Sequence, residues 1–201
     1  MARAQGGGLI LAAGHGRRFG SDKRHVRLAD GRTLLISALT PWHEALADLR
    51  VVLRDRSEPG EVALAEALTA QFPNLMITFA ERWQGGMGAS LAAGIADCGD
   101  WAYVLIGLGD MPDLRAATIS RLSDELQRRC NAGDTMCIVR PVHAVRPGHP
   151  IGFGRGHFPE LRRTSGDIGA RHIVAAHPNV VDLPCDDPGI HHDIDTPDQL
   201  P

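Results

Sequence analysis

The apolar run Leu9-Ile10-Leu11-Ala12-Ala13 stops at Gly14-His15-Gly16-Arg17-Arg18-Phe19-Gly20, and the loop closes on Ser21-Asp22-Lys23. A short, wholly apolar run reads as a buried strand, and such strands belong in parallel sheets covered on both faces. The glycine spacing behind it lets the backbone approach a ligand and aim N–H groups at it. Arg17, Arg18 and Lys23 add charge that can meet phosphate. Strand and loop together predict a cradle for a nucleoside triphosphate.

The rest of the chain alternates strand and helix. Thr33 is placed to cap a helix through Leu34, Leu39 and Leu46, which Pro41 should kink or shorten. Leu49 to Leu53 reads as a strand, Ser57-Glu58-Pro59 as the start of a helix reaching Phe72, and Leu75 to Phe79 as a third strand. A second glycine turn, Trp83 to Ser90, leads into a small-residue helix from Ser90 to Ala96. The strand Trp101 to Ile106 ends in Gly107-Leu108-Gly109-Asp110-Met111-Pro112, which puts Asp110 beyond the carboxyl end of a strand, where ligands of open α/β sheets bind. Asp113 is placed to cap the helix that runs to Arg128-Arg129. Met136 to Val139 reads as a strand, Phe158 to Arg163 and Ile168 to Ala176 as helices, and Val180 to Leu183 as the last strand. This alternation predicts a single three-layer α/β/α, Rossmann-like domain over residues 1–201, with a mostly parallel sheet.

Composition narrows the function. A chain of 201 residues with 43% hydrophobic content can bury a sizeable core. Its net charge of -3 argues against a protein that coats nucleic acid, while Arg17, Arg18, Lys23, Arg24 and Arg27 concentrate positive charge in one segment, a pattern suited to a small polyanion. The apolar run near the start is too short for a signal or spanning segment, so a cytoplasmic protein with no membrane partner is expected. The four cysteines show no C-x-x-C spacing, which speaks against a zinc ribbon or a disulfide scaffold.

The first loop differs from its common look-alikes. Gly14, Gly16 and Gly20 are spaced one residue too wide for a dinucleotide fingerprint, although Asp55 after the second strand leaves a nicotinamide enzyme as a minor reading. Lys23 lies three residues beyond Gly20, so the loop is not a Walker A motif either.

The pattern L-A-A-G-x-G-x-R-x-G-x-x-K that it does fit resembles the signature of nucleotidyltransferases. Gly86-Met87-Gly88-Ala89-Ser90-Leu91, Gly109-Asp110-Met111-Pro112, Gly148-His149-Pro150, the block from Thr164 to Arg171 and Asp193-Ile194-Asp195-Thr196-Pro197 follow in the order of one family. Together these blocks resemble the molybdenum cofactor cytidylyltransferases, within the wider group that holds the guanylyltransferases and sugar-phosphate nucleotidyltransferases. The resemblance implies a fold of the nucleotide-diphospho-sugar transferase type. It also implies transfer of CMP from CTP to the phosphate of molybdopterin, release of pyrophosphate, Mg2+ as cofactor, and a molybdoenzyme or its chaperone as partner. Guanylyl transfer, another phosphorylated acceptor, and a nucleotide-binding regulator without turnover are the alternatives.

By the same resemblance, Arg18, Lys23 and Asp110 carry catalysis. Leu11, Ala12, Ala13, Gly14, Gly16, Arg17, Gly86 and Ser90 line the nucleotide site, and His149, Asp167 and Arg171 meet the acceptor. Magnesium takes oxygen ligands and keeps waters, so Asp110 with Asp193 or Asp195 suffices. Asp193 and Asp195 alternate around Ile194, which puts both carboxylates on one face of an extended segment. Ala12-Ala13-Gly14 resembles the cytidylyl branch, a glycine pair in that place the guanylyl branch; the Ala13 methyl would narrow the base pocket toward a pyrimidine. His191, His192 and Asp193 lack a third well-spaced ligand for a transition metal. Two features depart from the family: Arg24-His25 follows Lys23 where apolar residues are expected, and Phe19 stands in place of a methionine.

Overall fold

The computed structural model describes residues 5–14, 16 and 19–200. At its centre lies β1 (Gly6–Leu11), paired in parallel with β2 (Leu49–Arg54) on one side and β4 (Tyr103–Leu108) on the other. The outer strand β3 (Leu75–Ala80) pairs in parallel with β2. Beyond β4 the sheet becomes mixed. The strand β7 (Ile151–Gly154) runs antiparallel between β4 and β5 (Ile138–His143), β6 (Arg146–Pro147) folds back on β5, and β8 (Val180–Pro184) joins β5 in parallel. The order along the sheet is β3-β2-β1-β4-β7-β5-β6.

This order positions the site. The chain leaves β1 toward β2 on one side and reaches β4 on the other, so a crevice opens beyond the carboxyl ends of β1 and β4. Leu11 and Leu108 are register partners at those ends, which sets the glycine loop and Asp110 side by side.

Alternation along β1 divides the core between the two faces. Ile10 packs with Leu35, Leu39 and Trp42 of α1 (Leu34–Ala45), with Leu64 and Leu68 of α2 (Glu61–Gln71), and with Leu122 and Leu126 of α4 (Ala116–Asn131). Leu9 packs with Leu91 and Ile95 of α3 (Met87–Ala96), with Phe158 and Leu161 of α5 (Phe158–Leu161), and with Ile173 of α6 (Arg171–Ala176). Gly107, next to the last residue of β4, makes room for Trp42: a Cβ there would lie 2.1 Å from the indole ring.

Several local expectations need correction. Helix α1 runs unbroken through Pro41, because the burial of Leu39, Pro41 and Trp42 against the sheet holds the segment helical despite the missing N–H. Helix α2 starts at Glu61 after Gly60 in the left-handed region, while Ser57 closes a turn on Asp55. Asp113 does not cap α4; it pairs with His192. The cap comes from the buried Asp187, whose Oδ2 accepts from the Arg115 amide at 3.0 Å and from the Thr118 hydroxyl at 2.6 Å. The helix expected from Ile168 begins only at Arg171.

Candidate active site

A cleft of about 390 Å³ opens at the crevice, walled by the turn Ala12–Gly14, by Lys23 and Arg24, by Asp110, and by Gly86 and Ser90 at the start of α3. Gly16 sits in the left-handed region with φ +61, and a Cβ there would press to 2.7 Å of the Ser21 carbonyl oxygen. Only glycine lets the loop fold back this tightly. The return delivers Lys23, the first residue of a short 3₁₀ turn that the Asp22 side chain caps.

Lys23 uses all three of its protons. Its Nζ donates to Asp110 Oδ2 at 2.7 Å, to the Ile194 carbonyl at 2.8 Å and to Asp195 Oδ1 at 2.9 Å. The buried Ile194 ties the distant segment to the end of β4, since its amide donates to the Asp110 carbonyl at 3.0 Å. Burial pushes the Asp110 carboxyl above the ordinary range; the Lys23 ammonium opposes this, and the charges of Asp193 and Asp195 add to it. Burial would lower Lys23, but Asp110 and Asp195 outweigh it and hold the ammonium charged. Asp110 Oδ1 is buried without a hydrogen-bond partner. An orphaned carboxylate oxygen beside a second carboxylate is a hard-oxygen donor set that fits a magnesium-type ion. Among the described residues no three His, Cys, Asp or Glu side chains gather as a metal cage, so such an ion would rely on Asp110, Asp195 and water or substrate oxygens.

A second cavity of about 400 Å³ adjoins the first and brings together His149, Asp167 and Arg171 against apolar walls that include Leu91 and Phe153. Leu11, Met87, Leu108 and Asp167 border both spaces. The wall is built by docking one loop on another. The Gly88 amide donates to Gly166 O at 2.7 Å and the Gly166 amide to Gly85 O at 3.0 Å. A Cβ on Gly86 would fall 2.4 Å from Asp167 Oδ1, and one on Gly88 2.6 Å from the Ser165 amide nitrogen. The glycines at 86 and 88 thus permit the approach that seats Asp167 between the cavities. His149 is held neutral by burial, reinforced by the Arg171 charge, and its Nδ1 is buried with no partner.

Other sequence-derived residues fall elsewhere. Arg17 and Arg18 lie outside the described residues. Asp193 lines neither cavity, whereas Asp195 lines the first. His191 bonds the Arg146 carbonyl at 3.1 Å and His192 pairs with Asp113, which occupies both rings in loop contacts. Asp55 is half-buried and bonded to Ser57, away from both cavities.

Sequence reasoning missed a charged network behind the cleft. Arg24 is buried and bonds Asp22, Glu61 and the Ala12 carbonyl; Arg54 bonds Asp22 at 2.9 Å and the Gly14 carbonyl at 2.6 Å. Burial would raise Asp22, but the bond from Arg24 and the charges of Arg24 and Arg54 outweigh it and hold the carboxyl at about 2. Arg54 also lies over the Trp83 ring, 5.1 Å from its centroid. The signal was the departure at Arg24 itself, a charge where apolar residues are expected.

None of the described helices is long and apolar enough to cross a membrane. The model of the MobA-like NTP transferase domain matches residues 8–193. Nicotine blue oxidoreductase of Paenarthrobacter nicotinovorans is 32% identical over 96% of this chain and 93% of its own length. A probable molybdenum cofactor guanylyltransferase of Opitutus terrae is 28% identical over 84% of this chain and 77% of its own. Among solved structures, Rv0371c of Mycobacterium tuberculosis superposes with a TM-score of 0.75 at 29% identity, covering 99% of this chain and 96% of that one. A structure of Rv0371c in complex with manganese superposes with a TM-score of 0.72 at 25% identity, covering 98% and 96%. By the family match and by a relative aligned over nearly its whole length, this chain belongs to the MobA-like NTP transferase family.

Proposed function

We propose that the protein transfers a nucleoside monophosphate from a nucleoside triphosphate to the phosphate of a molybdopterin-type acceptor, releasing pyrophosphate. The observation that carries this reading is the lysine ammonium held between two carboxylates at the mouth of a glycine loop, next to a second cavity lined by His149 and Arg171.

In this reading the first cleft takes the triphosphate and the second the acceptor. An oxygen of the acceptor phosphate attacks the α-phosphorus, the bond to the β-phosphate oxygen breaks, and pyrophosphate leaves. The reactants repel each other, so the protein's part is positioning and charge neutralisation. Lys23 and Arg18 neutralise the triphosphate, and the loop amides from Gly14 to Gly16 hydrogen-bond it. Asp110 and Asp195 hold Mg2+, which when bound supplies charge to the phosphate oxygens and orients them. Arg171 orients the acceptor phosphate, and the neutral His149 offers its unpartnered Nδ1 to a polar group of the acceptor.

Two bases compete for the cleft. A relative named as a guanylyltransferase supports GTP, and this has the stronger backing from the comparisons. The buried Ala13 methyl supports CTP. The relative named as an oxidoreductase raises a second reading, hydride transfer to a heteroaromatic substrate. Against it, Asp55, the residue a nicotinamide ribose would need, points into a surface turn.

The test is incubation with Mg2+, molybdopterin and each of four labelled triphosphates, following pyrophosphate and the nucleotidylated product. Release with GTP or CTP is the expected result and names the base. Binding without release would replace the enzyme with a nucleotide-binding regulator. Oxidation of a reduced nicotinamide with no pyrophosphate would replace transfer with hydride chemistry.

A further inference from the structure

Phe19 is the single large apolar residue between Gly14 and Arg24, in a loop otherwise made of glycine, charged and polar residues. It lines neither cavity, so any part it plays in the site is indirect. The residue is nonetheless buried, 8% exposed, and belongs to neither of the two cores on the faces of the sheet. It forms a third, small core with the fully buried Leu34 and Ile194, and Val26, Leu28 and Leu200 pack against it.

Two loops stand on this core, each by both of its ends. The first runs from Phe19 to Val26 and carries Lys23. At its start the Phe19 and Gly20 amides donate to the Gly16 carbonyl at 3.0 and 3.2 Å, and at its end the Val26 amide donates to the Lys23 carbonyl at 3.1 Å. The second runs from Ile194 to Leu200 and carries Asp195, whose amide donates to Gln199 Oε1 at 2.7 Å. Lys23 Nζ meets Asp195 Oδ1 between the loops, and the Ile194 backbone joins both to the end of β4. The polar contacts converge on one ammonium, which a metal ion or a triphosphate would draw on. Apolar burial is independent of charge and persists when either binds.

We propose that Phe19 is a positioning residue for the reaction: through the small core it shares with Leu34 and Ile194, it docks the Lys23 loop on the Asp195 segment and keeps the ammonium between Asp110 and Asp195. The inference rests on the nucleotidyl-transfer reading. In that reading the lysine acts on the triphosphate only from a fixed place, and a small displacement of a positioned group costs rate steeply. A core of three buried residues is small beside those on the sheet. Truncating its one ring leaves a cavity that opens this corner locally while the sheet stays folded.

The test combines amide hydrogen exchange of the nucleotide-free protein, read by NMR, with transfer to molybdopterin in the presence of Mg2+ and GTP or CTP. It compares the wild type, Phe19→Ala, Phe19→Leu, Lys23→Met and the double variant Phe19→Ala with Lys23→Met. In Phe19→Ala the Ile194 amide should exchange about tenfold faster while the amides of β1 keep their rates, and kcat/KM should fall by about tenfold. In the Lys23→Met background the same truncation should cost less than about threefold, because the ammonium that Phe19 positions is gone. Phe19→Leu keeps much of the apolar volume and should show about a threefold change in both measurements; it decides the matter if Phe19→Ala does not fold. Unchanged exchange at Ile194, equal acceleration at Ile194 and in β1, or the full tenfold loss in the Lys23→Met background would each overturn the role of Phe19 and leave nucleotidyl transfer standing. A wild type that transfers no nucleotide would overturn the transfer reading, and the positioning role with it.

Discussion

Lys23 Nζ stands 2.7 Å from Asp110 Oδ2, so the lysine expected to hold triphosphate is bonded to the carboxylate expected to hold metal. The ammonium and a divalent cation want the same two carboxylates, those of Asp110 and Asp195. Replacing Lys23 with Met should therefore act in two directions. Transfer should fall by roughly a hundredfold or more, as charge at the triphosphate is lost. The nucleotide-free protein should meanwhile bind Mn2+ about tenfold more tightly, because the competing cation has gone. Electron paramagnetic resonance of free Mn2+ reads the second effect without turnover. Unchanged Mn2+ affinity would mean that the lysine and the ion do not share a site.

The three aspartates should separate by position. Asp110→Asn should abolish turnover and leave the unfolding temperature nearly unchanged, since burial already disfavours the charge it removes. Asp195→Asn should lower turnover substantially, and Asp193→Asn least, because Asp195 touches Lys23 and lines the cleft while Asp193 lines neither cavity. Pyrophosphate release by the three purified variants gives the order directly. Greater loss with Asp193 than with Asp195 would reverse the assignment.

Asp22 ties acid stability to the nucleotide wall. Its folded value of about 2 lies below the ordinary 3.8, so the folded state favours the ionised form. The resulting stabilisation is fully present above about pH 4 and is lost as pH falls toward 2. It amounts to on the order of 2 kcal/mol. Urea unfolding of the wild type and Asp22→Asn should differ by about this much at pH 5 and converge near pH 2. A difference independent of pH would remove Asp22 from the ion network.

Gly88 tests the wall between the cavities. A methyl at this position would meet the Ser165 backbone at 2.6 Å, and backbone cannot swing aside as a side-chain tip can. Gly88→Ala should cost about 1 to 3 kcal/mol in urea unfolding. It should also raise KM for the acceptor more than for the triphosphate, because the displaced loop carries Asp167 toward the second cavity. Equal effects on both substrates would show that the wall does not separate them.

The parts of this molecule written in local sequence were readable. The apolar runs around Leu9 and Val104 become the central strands, and the glycine turn before Ser90 opens a helix as expected, although its docking on the loop around Gly166 was not legible. The expected Thr33 cap also forms, with its hydroxyl accepting from the Ile36 amide. Non-local partners were not readable. Asp187 caps α4 from 72 residues away along the chain, and Glu61 receives Arg24 from 37 residues away. The antiparallel β7 escapes a reading based on alternation, because the sequence of Ile151 to Gly154 carries no mark of strand direction. Pro41 misleads for the opposite reason: a strong local rule yields to the burial of Trp42 beside it.

Lys23, Asp110 and Ile194 meet in space from three regions, separated along the chain by 87 residues in one contact and 171 in the other. Contacts this distant form late in folding, after the nearer pairings have closed the loops between them. During synthesis the glycine loop and its strand emerge long before residues 194 and 195, and the ammonium has no complete set of partners until those have arrived. A nascent chain can then carry a finished β1 and a finished loop while its reactive centre does not exist. Competence for chemistry becomes a property of the whole chain, acquired in one late step.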